Sequence, residues 1–231
     1  KNIYQKMPSA PLPTHSKTLS SDIILNAYKI GLFPMADSYT SSTINWIEPK
    51  QRGIIDLKEF HIPKKMKSLM RKNKFTIKTN TSLKAVINLC ASVDNRKTNT
   101  WINKDIINCY AELGRSNICH CIECWYNEDL VGGLYGLTIG KAFFGESMFS
   151  LVDNASKIAL LSLGIILIKY NFKFIDTQFI TKHLTQFGAK EIDKEDYIKL
   201  LNISIKNHNN FFKLPTDMTS SDLLHEFNQI S

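Results

Sequence analysis

Val131-Gly132-Gly133-Leu134-Tyr135-Gly136, then Ala142-Phe143-Phe144-Gly145-Glu146-Ser147-Met148-Phe149-Ser150, then Asp153-Asn154-Ala155-Ser156-Lys157 at the head of an apolar segment, is the stretch whose reading decides the fold. It combines a glycine-rich strand, a carboxylate inside an apolar strand and a helix start, the parts an acyl-transfer cleft needs. Nineteen residues after Lys157, Asp176-Thr177-Gln178 closes another apolar run with a second polar pair. Working outward, strands are expected at 118–126, 130–138 and 142–149, with Asn127-Glu128-Asp129 and Ile139-Gly140-Lys141 supplying turn chemistry. A helix at 154–169, a strand at 172–177, a helix at 181–187 stopped by Gly188, a short strand and a helix at 194–202 complete the expected core.

Upstream, Pro8, Pro11 and Pro13 make an irregular leader, and Ser20 and Ser21 can cap a short helix from Asp22 to Ile30 that Gly31 ends. A polar loop from Asp37 to Thr43 leads to Asn45-Trp46-Ile47 and a strand over Gly53 to Leu57. Beyond Pro63 the pattern gives a helix over Lys64 to Lys72, a strand over Phe75 to Lys78, a helix over Leu83 to Ala91 and another over Lys104 to Leu113. The fold class is α/β (α+β), divided into a small N-terminal domain, 1–60, and an acyltransferase domain, 61–231.

A formal charge of +8 over 231 residues makes nucleic acid, or another polyanion, the first partner to consider. Lys64, Lys65, Lys67, Arg71, Lys72 and Lys74 fall in one span with no acid, while Met66, Leu69 and Met70 supply an apolar side, so the helix can lie on phosphates while docked. A solvated helix face is the alternative. The apolar run from Ile158 to Ile168 is shorter than the ~18 residues a membrane span requires. Residues 1–20 lack signal-peptide blocks, and the chain starts at Lys1 rather than Met, leaving open how many residues precede it. A soluble, cytoplasmic protein with reduced thiols is expected.

Cys119-His120-Cys121 followed by Cys124 has the residue types of a zinc site. In a strand, however, Cys119 and Cys121 share one face while His120 and Cys124 point to the other, so buried core thiols are the expectation.

Several motifs together carry a resemblance. Gly31-Leu32-Phe33-Pro34, Thr100-Trp101-Ile102, the Val131–Gly136 and Phe144–Ser150 strands, Asn154-Ala155-Ser156-Lys157 and Ile175-Asp176-Thr177-Gln178, in this order, resemble the leucyl/phenylalanyl-tRNA–protein transferase family over roughly residues 22–201. The resemblance implies an enzyme that takes Leu or Phe from its charged tRNA and attaches it to the N-terminal Lys or Arg of a protein, marking it for N-degron proteolysis. It also implies a GNAT-like acyltransferase domain beside a small N-terminal domain, no metal or bound cofactor, and a monomer.

The aminoacyl ester is already activated, so the chemistry needs a neutral amine, a held carbonyl and good positioning. Asp176 and Gln178, two apart on a strand, share a face; in the family the matching positions are proposed as the catalytic pair, with assistance from the tRNA's terminal hydroxyls as an alternative. Glu146, read as sharing a face with Phe144 and Met148, is taken as a site carboxylate that attracts the cationic peptide N-terminus. Structural roles for both acids, bonded to backbone amides or capping a helix, are the competing readings.

Leu160, Leu163 and Leu167 form a helical stripe that, with Leu134, Met148 and Ile175, matches the family's pocket for the Leu or Phe side chain; on periodicity alone the stripe reads as core. Leu163 and Leu167 stand where the family resemblance leads one to expect aromatic residues, which bears on the choice between Leu and Phe. Trp46 and Trp101 match aromatic positions near the tRNA 3′ end, and Asn45 stands where a second aromatic is expected; core packing is the other reading of both tryptophans. Two rival functions are an acyl-CoA-dependent N-acetyltransferase and a noncatalytic RNA-binding module. The first calls for a glycine-rich pyrophosphate loop at the central helix, and residues 148–157 contain no glycine. The second leaves Glu146, Asp176 and Gln178 without a task.

Overall fold

The computed structural model describes residues 19–93, 100–206 and 217–230. The leader carrying Pro8, Pro11 and Pro13 lies outside them, as does part of the loop leading to Trp101. Ser20 opens α1 (Ser21–Lys29) by accepting a hydrogen bond from the Ile23 amide at 3.3 Å. Gly31, at φ +88, turns the chain out of the helix in a conformation glycine adopts freely. It enters β1 (Phe33–Ala36), which pairs antiparallel with β2 (Ile44–Ile47) as a two-stranded sheet. β1 was not expected from the sequence, because Pro34 argues against a strand; a two-stranded ribbon tolerates it, since a proline there need not donate to a second neighbour.

The remaining strands form an eight-stranded sheet among the described residues, in the order β10-β4-β5-β6-β7-β8-β3-β9. They are β3 (Gln51–Asp56), β4 (Thr76–Thr79), β5 (Cys119–Tyr126), β6 (Asp129–Ile139), β7 (Ala142–Ser150), β8 (Phe174–Gln178), β9 (Ala189–Asp193) and β10 (Met218–Thr219). Turns at 127–128 and 140–141 give the β5–β6–β7 meander expected from the sequence. β3 belongs to this large sheet, between β8 and β9. Every neighbouring pair is antiparallel except β7 and β8.

Helices cover both faces. On one lie α1, α3 (Leu83–Ser92), α4 (Lys104–Arg115) and α7 (Lys194–Ile205), over a core containing Tyr28, Ile87, Tyr110, Tyr135, Phe144 and Phe174. On the other lie α2 (Lys64–Arg71), α5 (Ala155–Lys169) and α8 (Ser220–Ile230), over Leu134, Phe143, Leu161 and Ile175. The short α6 (Lys182–Thr185) links β8 to β9. α5 is buried on nearly every side because the sheet and α8 enclose it, so its leucines are part of an apolar cylinder rather than one stripe. The expected core ended at residue 202, but β10 and α8 extend it: β10 adds to β4, and α8 packs on α5. No helix among the described residues is long and apolar enough to cross a membrane.

Candidate active site

The parallel pair β7 and β8 sets up the site by parting. Their ladder holds only from Ala142 opposite Phe174 to Phe144 opposite Asp176; beyond it β7 runs on to Ser150 while β8 ends at Gln178. Glu146 and Gln178 flank the resulting gap, with Gln178 Nε2 3.4 Å from Glu146 Oε1.

Glu146 occupies a bulge. Gly145 pairs with Gly136 and Ser147 with Tyr135, leaving Glu146 as the extra residue on β7. The bulge interrupts alternation: Glu146 stays with Phe144 on the α1/α4 side, while Met148 packs against the α5 cluster. The expected common face of Glu146 and Met148 is therefore corrected by one inserted residue. Tyr28 from α1 donates a short hydrogen bond to Glu146 Oε1, Tyr110 from α4 donates to Oε2 at 3.2 Å, and the two hydroxyls lie 2.8 Å apart. Burial raises the Glu146 carboxyl to about 7, against the lowering effect of both tyrosine hydrogen bonds. At neutral pH it sits near the midpoint of its titration.

Asp176 is held differently. Its Oδ1 accepts from Arg52 Nε at 2.9 Å and from the Gln178 amide at 2.8 Å; its Oδ2 accepts from Arg52 Nη2 at 2.8 Å and Tyr197 at 2.6 Å. Arg52 in turn donates to the Gly31 carbonyl at 2.9 Å and lies 4.6 Å from the ring centres of both Phe33 and Tyr197. All four in-plane acceptor positions of the carboxylate are thus used. Gln178, at φ 61, has a left-handed backbone that costs a non-glycine residue about 1–2 kcal/mol, and the Asp176 hydrogen bond to its amide helps hold it there.

Leu134, Leu160, Leu163, Leu167, Ile175 and half-buried Met148 fall in one apolar cluster around α5. They lie across the sheet from Glu146, Asp176 and Gln178, and the two groups adjoin where β7 and β8 separate: Ile175 precedes Asp176, and Met148 follows Glu146 by two residues. A cavity of about 510 Å³ elsewhere is lined, among the described residues, by Tyr39, Asn88, Ala91, Ser92 and Ile107, none of them an acid or an imidazole.

Trp46, opposite Pro34 in the small sheet, and Trp101, whose carbonyl accepts the Ala36 amide at 3.1 Å, are both half-buried. Phe33 of that sheet meets Phe179 edge-to-face at 5.7 Å, which seats the sheet beside the residue following Gln178. Asn45 donates to Asp37 at 2.7 Å. On α2, Met66 and Met70 face inward while Lys64, Lys65, Arg71, Lys72 and the following Lys74 are exposed and Lys67 is half-buried. Among the described residues the ion pairs join Arg52 to Asp176, Lys78 to Asp217, Lys169 to Glu226, Lys190 to Glu59, Lys194 to Glu48 and Lys199 to Asp196, none of them on α2.

Comparison with known families decides the class. A model described as leucyl/phenylalanyl-tRNA protein transferase matches residues 54–202, and one for the N-terminal domain of the same enzymes matches 17–50. The chain belongs to this family. A leucyl/phenylalanyl-tRNA–protein transferase of Nitrobacter winogradskyi is 43% identical over 204 residues, spanning 88% of this chain and 91% of the relative. Proteins of the same name from Rhodopseudomonas palustris and Paramagnetospirillum magneticum are 42% identical over 202 residues and 44% over 181, spanning 87% and 78% of this chain and 88% and 87% of theirs.

This leucyl/phenylalanyl transferase family member is an aminoacyltransferase, and four residues that its sequence did not single out surround the two acids: Tyr28, Tyr110, Arg52 and Tyr197. Each tyrosine reads locally as an apolar helix position. Arg52 carried the one usable signal, a guanidinium opening the buried strand Gly53-Ile54-Ile55, where a charge requires a carboxylate partner. The cysteine motif folds with Cys119 and Cys121 toward one core and Cys124 toward the other, its thiol donating to the Ala155 carbonyl at 3.2 Å. His120 lies between Asn80 and Thr138, 3.1 and 3.2 Å away, and burial lowers its pKa to about 4.

Proposed function

We propose that this chain transfers Leu or Phe from aminoacyl-tRNA to the N-terminal Lys or Arg of acceptor proteins, tagging them for N-degron proteolysis, as a cytoplasmic monomer. The supporting observation is the buried network that joins Glu146 to Tyr28, Tyr110 and Gln178 at the parting of β7 and β8. The parallel strands that separate beside a central helix favour the GNAT-like reading of the large domain, beside a small N-terminal domain built on the β1–β2 sheet that carries Trp46.

In this mechanism the neutral α-amine attacks the ester carbonyl, the C–N bond forms, and the C–O bond to the tRNA 3′ oxygen breaks. The proton leaving the new ammonium goes to Glu146, whose titration near neutrality suits reversible uptake, and the departing 3′ oxygen is protonated in turn. Gln178 orients the reacting groups. Asp176 positions Gln178 through its backbone amide rather than taking the proton, since its oxygens are occupied. Leu134, Met148, Leu160, Leu163, Leu167 and Ile175 bound the donor side chain, with Leu163 and Leu167 bearing on the Leu-to-Phe ratio. Trp46 and Trp101 stack at the 3′ end, and Lys64, Lys65, Lys67, Arg71, Lys72 and Lys74, unpaired with acids among the described residues, meet the tRNA backbone.

Transfer of radiolabelled Leu from leucyl-tRNA to a peptide beginning with Lys tests the reading. Labelled peptide is expected; acetyl-CoA turnover, or tRNA binding without transfer, would replace it with one of the rivals.

A further inference from the structure

α2, the helix carrying the basic patch, packs mainly against α8. α8 in turn lies on α5 and is tied to it by Lys169 and Glu226 at 2.8 Å. The segment 217–230 lies beyond the stretch matched by the family model, which ends at residue 202. It nevertheless clasps the C-terminal end of α2. Ser220 Oγ donates to the Met70 carbonyl at 2.8 Å, and the Ser221 amide donates to Asn73 Oδ1 at 2.9 Å, where Asn73 ends the helix at φ 49. Phe227 lies edge-to-face with Phe60 at 6.1 Å, and the Lys67 ammonium sits 5.9 Å from its ring. β10 completes the hold by pairing with β4 just beyond α2. Thr219 and Asp222 fix the start of α8 through reciprocal hydrogen bonds of 2.7 and 3.1 Å.

The sequence of α8, Ser-Ser-Asp-Leu-Leu-His-Glu-Phe-Asn-Gln-Ile, contains no Lys or Arg and two acids, so it is poorly suited to hold phosphate itself. Its chemistry suits a seat: an apolar face for α5, serines for the end of α2 and a ring under Lys67. A cation contributes to phosphate binding only when its helix is held at the spacing of the backbone it meets.

We propose that the C-terminal segment 217–230 is the positioning element of the tRNA-binding surface, acting through α2 and not through contacts of its own with tRNA. The proposal rests on the reading of α2 as the tRNA-backbone surface. It makes the segment necessary for recognising the body of the tRNA and dispensable for handling the ester.

Two donors separate those functions. Leucyl-tRNA engages the whole surface, whereas leucyl-adenosine carries the ester and lacks the polyphosphate backbone. In the full chain, Asn73→Gly combined with Ser220→Ala removes the clasp while keeping a residue that accepts positive φ. Phe227→Leu loosens the seat by a second route with little loss of volume. Each is expected to raise KM for leucyl-tRNA about tenfold, lower the salt slope of binding by about one, and leave kcat near the wild-type value. Transfer from leucyl-adenosine should be unchanged in both, and amide exchange in α2 should quicken relative to β5–β7.

Equal losses with the two donors would overturn the proposal by making the segment a general support of the fold. If Lys64, Lys65 and Lys67→Ala weakens leucyl-tRNA binding while both seat variants bind normally, the seat is wrong and the α2 reading stands. If the triple variant binds normally as well, the α2 reading fails and takes the proposal with it.

Discussion

Replacing Asp176 with Asn tests the arrangement at its most constrained point. The carboxylate is fully buried, its Arg52 partner is 1% exposed, and the closest approach between them is 2.8 Å. Substitution leaves the guanidinium charged in the core. It also replaces one acceptor oxygen with an NH₂ that cannot accept, so either the Arg52 Nη2 and Tyr197 pair of donors or the Arg52 Nε and Gln178 amide pair loses its acceptor. Removing one partner of a buried pair costs about 3–5 kcal/mol, a large share of the ~5–15 kcal/mol by which a domain is stable. Urea unfolding of Asp176→Asn should therefore show a loss of about 3–5 kcal/mol. Adding Arg52→Met should restore at least ~2 kcal/mol, because no charge then remains buried alone. Transfer assayed at a temperature where the variant stays folded should lose kcat more than affinity for leucyl-tRNA, since a single oxygen shared between Arg52 and the Gln178 amide holds the left-handed backbone of Gln178 less firmly than the carboxylate does. A stability within ~1 kcal/mol of wild type, or no recovery in the double variant, would refute the role assigned to the Arg52–Asp176 pair.

Stability should also depend on Glu146. The unfolded carboxyl ionises near 4.5 and the folded one near 7, so the folded form binds the extra proton between these values. Stability is full below about pH 4.5 and is lost as pH rises through about 7, by roughly 3 kcal/mol. Glu146→Gln should lack this decline when urea midpoints are compared at pH 5 and 8; parallel curves would remove Glu146 as its source. Tyr28→Phe deletes a hydrogen bond that favours the ionised carboxylate, so the acidic limb of the transfer rate should move up by about one pH unit. An unmoved limb would detach Glu146 from proton transfer. Substituting Lys64, Lys65 and Lys67 with Ala should reduce the slope of log affinity against log salt by about 2–3, measured by filter binding, and an unchanged slope would clear these residues of phosphate contact.

What the sequence made legible was local. Turn residues at 127–128 and 140–141 marked the β5–β6–β7 meander, Gly31 marked the end of α1, and strict alternation placed Cys119 and Cys121 on one face with Cys124 on the other. Three features stayed hidden because each depends on chain segments far apart. The Glu146 bulge is a property of the register between β6 and β7, and no composition rule shows which residue of Gly145-Glu146-Ser147 is left without a partner. Tyr28 and Tyr110 reach Glu146 across 118 and 36 residues of sequence. α8 lies past the expected end of the core at residue 202, because its apolar positions have meaning only against α5.

Gln178 joins these lessons. Spacing of two put it on the Asp176 face, as a regular strand would, but a second bulge falls there: Gly53 pairs with Gln178 and Ile54 with Asp176, so Thr177 is the extra residue. A Cβ at residue 53 would stand 2.7 Å from Thr177 Oγ1 and 2.8 Å from the Phe179 carbonyl carbon, so the turn at Gln178 requires glycine beside it. The two bulges, one on each of the parted strands, both re-aim a side chain at the same gap. Regular strands would have kept their alternation; with the irregularities in place Glu146 and Gln178 stand 3.4 Å apart, the contact on which the proposed transfer mechanism rests.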